Sequence, residues 1–212
     1  MPGHRLTSQT IDSEAALSEL LGAPHALTHK KLCARLTPLT RKLIERAPFV
    51  CLATSDAAGN CDVSPRGDPA GFVRILDDTT LLLPERPGNR LADSLRNIFQ
   101  NPHVGLLFII PGVDDTFRVN GRATLTTDAA LLEPCAVEGK LPKLGILVDI
   151  DSAYTHCAKA FLRSGFWDPA QFVDRASLPS PGELMRSIEG DFDAEKYDSD
   201  RAARYARREG FY

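Results

Sequence analysis

Between residues 49 and 84 the chain packs several short strand-length segments so closely that no helix fits between them, and this restricts the fold more than any other feature. Phe49 to Thr54 (FVCLAT) is a short apolar run, followed by a turn at Asp56–Asn60 that contains Gly59. Asp62 to Pro65, Gly71 to Leu76 and Thr79 to Pro84 (TTLLLP) are also of strand length, with Asp77-Asp78 as a further turn. A parallel βαβ unit needs a crossover of a dozen residues or more, so this spacing predicts an antiparallel meander. The meander resumes after one helix. Val104 to Ile110 (VGLLFII) reads as a fully buried strand turned at Pro111-Gly112. Thr116 to Leu125 alternates, with Phe117, Val119, Ala123 and Leu125 on one face and Arg118, Asn120, Arg122 and Thr124 on the other. Leu144 to Ile150 alternates again. Roughly six strands with an inserted helix suffice to close a small barrel. The expected class is mainly β with helices (α+β).

Helices flank this sheet. Asp12 or Ser13 caps one that Gly22 ends, and Thr37-Pro38 opens another with Leu39, Leu43 and Ile44 at core-facing spacing. In the inserted helix Asn89 is the expected cap. Leu91, Leu95, Ile98 and Phe99 mark its buried face, and Asn101-Pro102 stops it. A short helix is expected near Asp128–Glu133. From Thr155 onward the chain reads as helix and loop, ending in a highly charged surface stretch.

Composition excludes several classes of function. With 212 residues, 43% hydrophobic and 25% charged, the chain can bury an ordinary globular core. A net charge of −3 provides no basic field for nucleic acid, and no apolar run approaches the ~20 residues that span a bilayer. The opening Met1 to Thr10 is polar, without the apolar core of a secretion signal, so a cytoplasmic location is expected. Cys33, Cys51, Cys61, Cys135 and Cys157 include no CxxC pair and read as reduced thiols, with Cys51 in the core; no metal site is expected. His4, His25 and His29 read as surface residues and His103 as structural.

The chain contains no GxGxxG, Walker loop, GxSxG or HExxH motif. Arginine, glycine and proline concentrate instead at two strand ends, Ser64-Pro65-Arg66-Gly67-Asp68 and Pro84-Glu85-Arg86-Pro87-Gly88-Asn89-Arg90. The second cluster runs into a helix N-terminus, where free N–H groups and the helix dipole favour an anion, and arginine adds donors matched to phosphate. Two such loops describe a phosphate cradle; each taken singly also reads as a solvated turn. The polar face of Thr116–Leu125 calls for water, a partner chain or a ligand. Trp167, in AKAFLRSGFWDP, has the shape to stack on a flat ligand or to cover a core edge. No nucleophile–base–orienter set stands out, so a cofactor would have to supply the reactivity.

The order FVCLATSDAAGNCDVSPRGD, TLLLPERPGNRLADSLRNIFQNPHVGLLFIIPG and TFRVNGRATL resembles the pyridoxamine 5′-phosphate oxidase-like FMN-binding split barrels, in particular a bacterial subfamily. The resemblance covers about residues 30 to 170, and RPGNRLADSLRNI is its most specific part. It implies a six-stranded antiparallel split barrel at 48–170, an N-terminal helical segment at 1–47 packing on it, and a C-terminal helical arm at 171–212. It also implies a homodimer with FMN at the subunit interface, acting as an oxidoreductase on a small molecule. Arg66 and the loop of Pro84, Glu85, Arg86, Asn89 and Arg90 would hold the phosphate, with Ser64, Pro65 and Gly67 near the flavin. Arg118, Asn120 and Arg122, then Lys159, Arg163, Ser164 and Trp167, would reach it from the partner chain. No catalytic residue is assigned. The basic and aromatic residues with which the authentic oxidase grips its phosphorylated vitamin have no match in EGDFDAEKYDSDRAARYARREGFY, so pyridoxamine phosphate is not the expected substrate. A flavin carrier or sensor without turnover, or a deazaflavin- or haem-binding relative, are the alternatives on this fold.

Overall fold

The computed structural model describes residues 10–212, in two units, one ending at Leu32 and one spanning Cys33–Tyr212. Residues 1–9, with most of the polar opening stretch and His4, lie outside the described residues. The first unit holds helix α1 (Glu14–Leu21) and the short α2 (Ala26–Lys30). Ser13 caps α1 by accepting the Ala16 N–H, and Gly22, at φ 72°, ends it in the left-handed region that favours glycine. His25 caps α2 through Nδ1, which accepts from the Leu27 N–H.

The second unit opens with α3 (Pro38–Arg46), where Thr37 and Thr40 form a reciprocal capping box and Pro38 takes the first turn. Ile44 is fully buried, whereas Leu39 is 72% exposed, against expectation. Only the second turn of this helix reaches the core.

Seven antiparallel strands follow: β1 (Phe49–Ser55), β2 (Cys61–Gly67), β3 (Arg74–Ile75), β4 (Thr80–Pro84), β5 (His103–Ile109), β6 (Thr116–Thr126) and β7 (Gly145–His156). They form one sheet in the order β2-β1-β5-β6-β7-β4-β3. The sheet has seven strands where about six were expected, and the segment expected at Gly71 to Leu76 contributes only the two-residue β3, paired with β4. Val50 and Leu52, near one end of this order, share a core cluster with Leu81 and Leu83, near the other. That requires the sheet to curl over itself, as in a split barrel. Pro65 is accommodated because β2 is an edge strand, paired only with β1.

The strand expected to be buried on both faces is covered on one. β5 is not buried on both faces: Val104, Leu106 and Phe108 are buried, while Leu107 and Ile109 are half-buried, as on a sheet covered from one side. β4 is buried on both faces from Leu81 to Pro84, because Leu82 packs against Leu132 and Cys135 in a second cluster beneath helix α5 (Ala129–Leu132). Cys51, on the outer face of β1, is half-buried and not in the core. β7 continues past Ile150 to His156, crossing a bulge opposite Asn120/Gly121. A Cβ at Gly121 would press into the Asp149 carbonyl and lie 3.0 Å from Val148 Cγ1.

Helix α4 (Asp93–Gln100) is the inserted helix. Ser94 and Ile98 are buried and Leu95 packs partly on the core, but Leu91 and Phe99 are exposed, correcting the expected buried face. After β7 come α6 (Lys159–Ser164), α7 (Pro181–Ile188) and α8 (Ala194–Ala206). The last two are joined by the Gly182 N–H donating to Asp198. Among the described residues no helix is long and apolar enough to cross a membrane, and no group of three or more His, Cys, Asp or Glu side chains is placed to hold a metal ion.

Candidate functional site

Strand alternation places Asp62, Ser64 and Arg66 on the same face of β2, opposite the buried Thr54, Leu52 and Val50 of β1. Because β2 is an edge strand, this polar row ends at an opening instead of entering the core. The loop from Pro84 to Ala92 and the first turn of α4 close over it, leaving an open cleft of about 680 Å³. Nine of the expected residues line it: Ser64, Pro65, Arg66, Gly67, Pro84, Glu85, Arg86, Asn89 and Arg90.

A directed hydrogen-bond chain runs along the cleft floor. The Ser94 hydroxyl donates to Asp62 Oδ2 at 2.6 Å and lies 3.0 Å from Ser64 Oγ. A hydroxyl has one proton, so Ser64 must donate to Ser94. Arg66 Nε in turn donates to Ser64 Oγ at 3.1 Å, and Arg66 Nη1 pairs with Glu85. The chain therefore leads from a guanidinium through two hydroxyls to a carboxylate. Asn97 and Thr54 add a further tie between α4 and β1.

Approaching α4, the backbone is strained. Arg90 (φ 66°) and Ala92 (φ 59°) are both left-handed without being glycine. Asn89 is not the cap of α4. Its Oδ1 accepts the Leu91 N–H, two residues before the helix begins, and the helix has no side-chain cap at its N-terminal position. The first-turn N–H groups accordingly border the cleft, alongside Asp93.

The cleft arginines are not equivalent. Arg86 Nε pairs with Asp68 at 2.6 Å, its Nη2 donates to the Cys135 carbonyl at 2.7 Å, and its guanidinium lies 5.2 Å from the centre of the Tyr212 ring. Asp68 is buried, its side chain 1% exposed. Arg86 thus braces the cleft wall, whereas Arg66 faces the cavity. Burial pushes the Cys135 thiol up from its ordinary pKa, partly offset by Arg74 and Arg86. The hydrogen bond from the Tyr212 hydroxyl to Asp68 raises the phenol.

The remaining expected residues lie elsewhere. Arg118, Asn120 and Arg122 occupy the outer face of β6, where they meet Tyr154, Ser152 and His103 respectively. Ser164 caps its own helix turn by donating to the Phe161 carbonyl. Trp167 donates to the Val113 carbonyl and stacks on Phe161, pinning the end of α6 to the β5–β6 turn. Lys159 and Arg163 belong to the same helix. Sequence reasoning left Asp62, Ser94 and Tyr212 out of the site and gave Asp68, at the end of the first arginine cluster, no role. The period-two alternation of β2 already points to Asp62; Asp68 and Tyr212 are 144 positions apart and carry no local signal.

The sequence profile of the family described as pyridoxamine 5′-phosphate oxidase matches residues 36–157, which include the whole cleft. Similar solved structures include HupZ of Group A Streptococcus (21% identity, 57% of this chain and 93% of that chain, TM-score 0.46). A putative pyridoxamine 5′-phosphate oxidase of Lactobacillus delbrueckii is similar at 23% identity, covering 57% and 95%, with TM-score 0.45. An FMN-binding protein of Syntrophomonas wolfei is similar at 15% identity, covering 68% and 96%, with TM-score 0.42. A comparison with curated proteins gives no match.

Proposed function

The chain belongs to the pyridoxamine 5′-phosphate oxidase family, and from its cleft we propose that it binds FMN and serves as a flavin-dependent oxidoreductase for a small molecule. One observation carries this reading: the polar row of β2 and the loop ahead of α4 converge on one cavity that holds Arg66, Arg90, Ser64 and a helix N-terminus without a side-chain cap. About 680 Å³ is within the usual range for a cofactor site, and these donors suit a phosphate. Arg66 and Arg90 would hold that phosphate, with the Ser64 hydroxyl beside Arg66. Pro65 and Gly67 present little side chain to the cleft and leave room for a flat ring. Glu85 competes, since an anion reaches Arg66 by displacing its carboxylate.

Bound flavin would supply hydride transfer; the protein supplies orientation and charge around it. The outer sheet face supports a homodimer: Val63 is 65% exposed and, with Ala53 and Gly105, makes a shallow surface beside Arg118 and Asn120 on which a second copy can pack. The same reading makes this a cytoplasmic protein. The test is the absorbance spectrum of purified protein followed by titration with FMN. Flavin bands and saturable binding are expected, with Arg66→Ala weakening affinity by about 1.5–3 kcal/mol, the contribution of a charged hydrogen bond. Colourless protein that does not bind FMN refutes the proposal, and a haem or deazaflavin spectrum replaces the cofactor.

A further inference from the structure

We infer that Tyr212 is a positioning residue of the cleft, holding the Arg86–Asn89 wall in place through Asp68 and Arg86. The wall has little structure of its own. Among the described residues, none from 86 to 90 makes a backbone–backbone hydrogen bond; the nearest runs from the Glu85 N–H to the Leu144 carbonyl. Side chains hold it instead, and they converge on Asp68.

Asp68 follows the end of β2 and is fixed by its own N–H, which donates to the Pro48 carbonyl at 3.1 Å. Its buried carboxylate accepts Arg86 Nε on Oδ2 and the Tyr212 hydroxyl, at 2.7 Å, on Oδ1. The Tyr212 ring also lies beside the Arg86 guanidinium, so one residue supports both halves of the ion pair. Tyr212 is anchored in turn: Lys140 Nζ donates to its backbone oxygen at 3.3 Å, and Arg208, 5.8 Å from its ring centre, pairs with Glu138. Gly67 and Arg86–Asn89 thus separate two hollows, the cleft on one side and a space bordered by Asp68, Tyr205 and Glu209–Tyr212 on the other. A side chain that merely covered the surface would not need to meet both partners of a buried pair.

The effect on FMN rests on the function proposed above; the effect on the wall does not. The experiment compares wild type, Tyr212→Phe, which keeps the ring, and Tyr212→Ala. Amide hydrogen exchange is measured without flavin, and FMN affinity by titration. Exchange of the two hydrogen-bonded amides that flank the wall, Glu85 and Leu91, is expected to rise about tenfold in Tyr212→Ala and less in Tyr212→Phe, with β5–β7 unchanged. FMN affinity is expected to fall in the same order. Unchanged exchange at Glu85 and Leu91 overturns the inference. So does uniform acceleration across the sheet, which would mean that the residue only stabilises the fold, or a faster wall with unaltered FMN affinity. If wild type binds no FMN, the proposed function fails, and exchange at the wall still decides the role of Tyr212.

Discussion

Arg86 offers the sharpest quantitative test, because sequence reasoning and structure give it different tasks. Placed in a phosphate cradle, it would be dispensable for folding and essential for the ligand. In the structure its guanidinium neutralises Asp68, whose side chain is only 1% exposed. Arg86→Met keeps most of the aliphatic stem and removes the charge. It leaves the Asp68 carboxylate buried, with the Tyr212 hydroxyl as its remaining side-chain donor. Breaking a buried pair from one side costs about 3–5 kcal/mol, because the orphaned charge stays desolvated. For a chain of this size that corresponds to a fall in melting temperature of roughly 6–20 °C, at about 2–4 °C per kcal/mol. Adding Asp68→Asn removes the orphaned charge, so the double variant is expected to be more stable than Arg86→Met by about 1–3 kcal/mol. Thermal and urea unfolding of the four proteins completes the cycle. Arg86→Met within about 1 kcal/mol of wild type, or no recovery in the double variant, refutes the bracing role.

Other consequences can be checked in the same way. Ser94→Ala deletes the link between Ser64 and Asp62 and leaves a half-buried acceptor without its donor; a loss of about 1 kcal/mol in urea unfolding is expected, and none would show that the chain along the cleft floor is idle. Gly121→Ala forces a methyl against the Asp149 carbonyl at the β6–β7 bulge, so a loss of about 3 kcal/mol or more, or failure to accumulate as soluble protein, is expected; a variant as stable as wild type would mean the bulge relaxes. Tyr212 provides a pH signature. Its phenol is raised above the ordinary value near 10 by Asp68, so the folded state holds its proton longer than the unfolded state. The resulting stability is complete below pH 10 and declines as pH rises toward the folded value. The difference in melting temperature between wild type and Tyr212→Phe should therefore narrow as pH rises above about 10, the unfolded value; a constant difference argues against the Asp68 contact.

What could be read in advance follows the range of the interactions. Strand spacing and alternation are local, and they pointed to antiparallel strands and to the two faces of β6. Caps made within three residues, such as Ser13 and Thr37, were equally visible. The errors have one physical source, namely that a residue's own hydrophobicity does not say what covers it. Leu39 and Phe99 have the spacing of buried residues, but each projects beyond the part of its helix that meets the sheet. The runs TLLLP and VGLLFII look alike, yet only the first has α5 on its second face.

The same reasoning explains why the cleft was found while the tasks of its arginines were not. Two arginine-rich loops at strand ends indicate where an anion can be held, because loop and strand positions are fixed locally. Which arginine remains available depends on distant carboxylates. Asp68 and Tyr212 engage Arg86 from positions 18 and 126 residues away, the latter being the difference between 212 and 86, and Glu85 meets Arg66 across the mouth of the cleft. An incoming phosphate must then outcompete Glu85 for Arg66, while Arg86 stays committed to Asp68. The cleft therefore separates holding the wall from holding the ligand. Of these two arginines, only Arg66 should change ligand affinity without a comparable loss of stability.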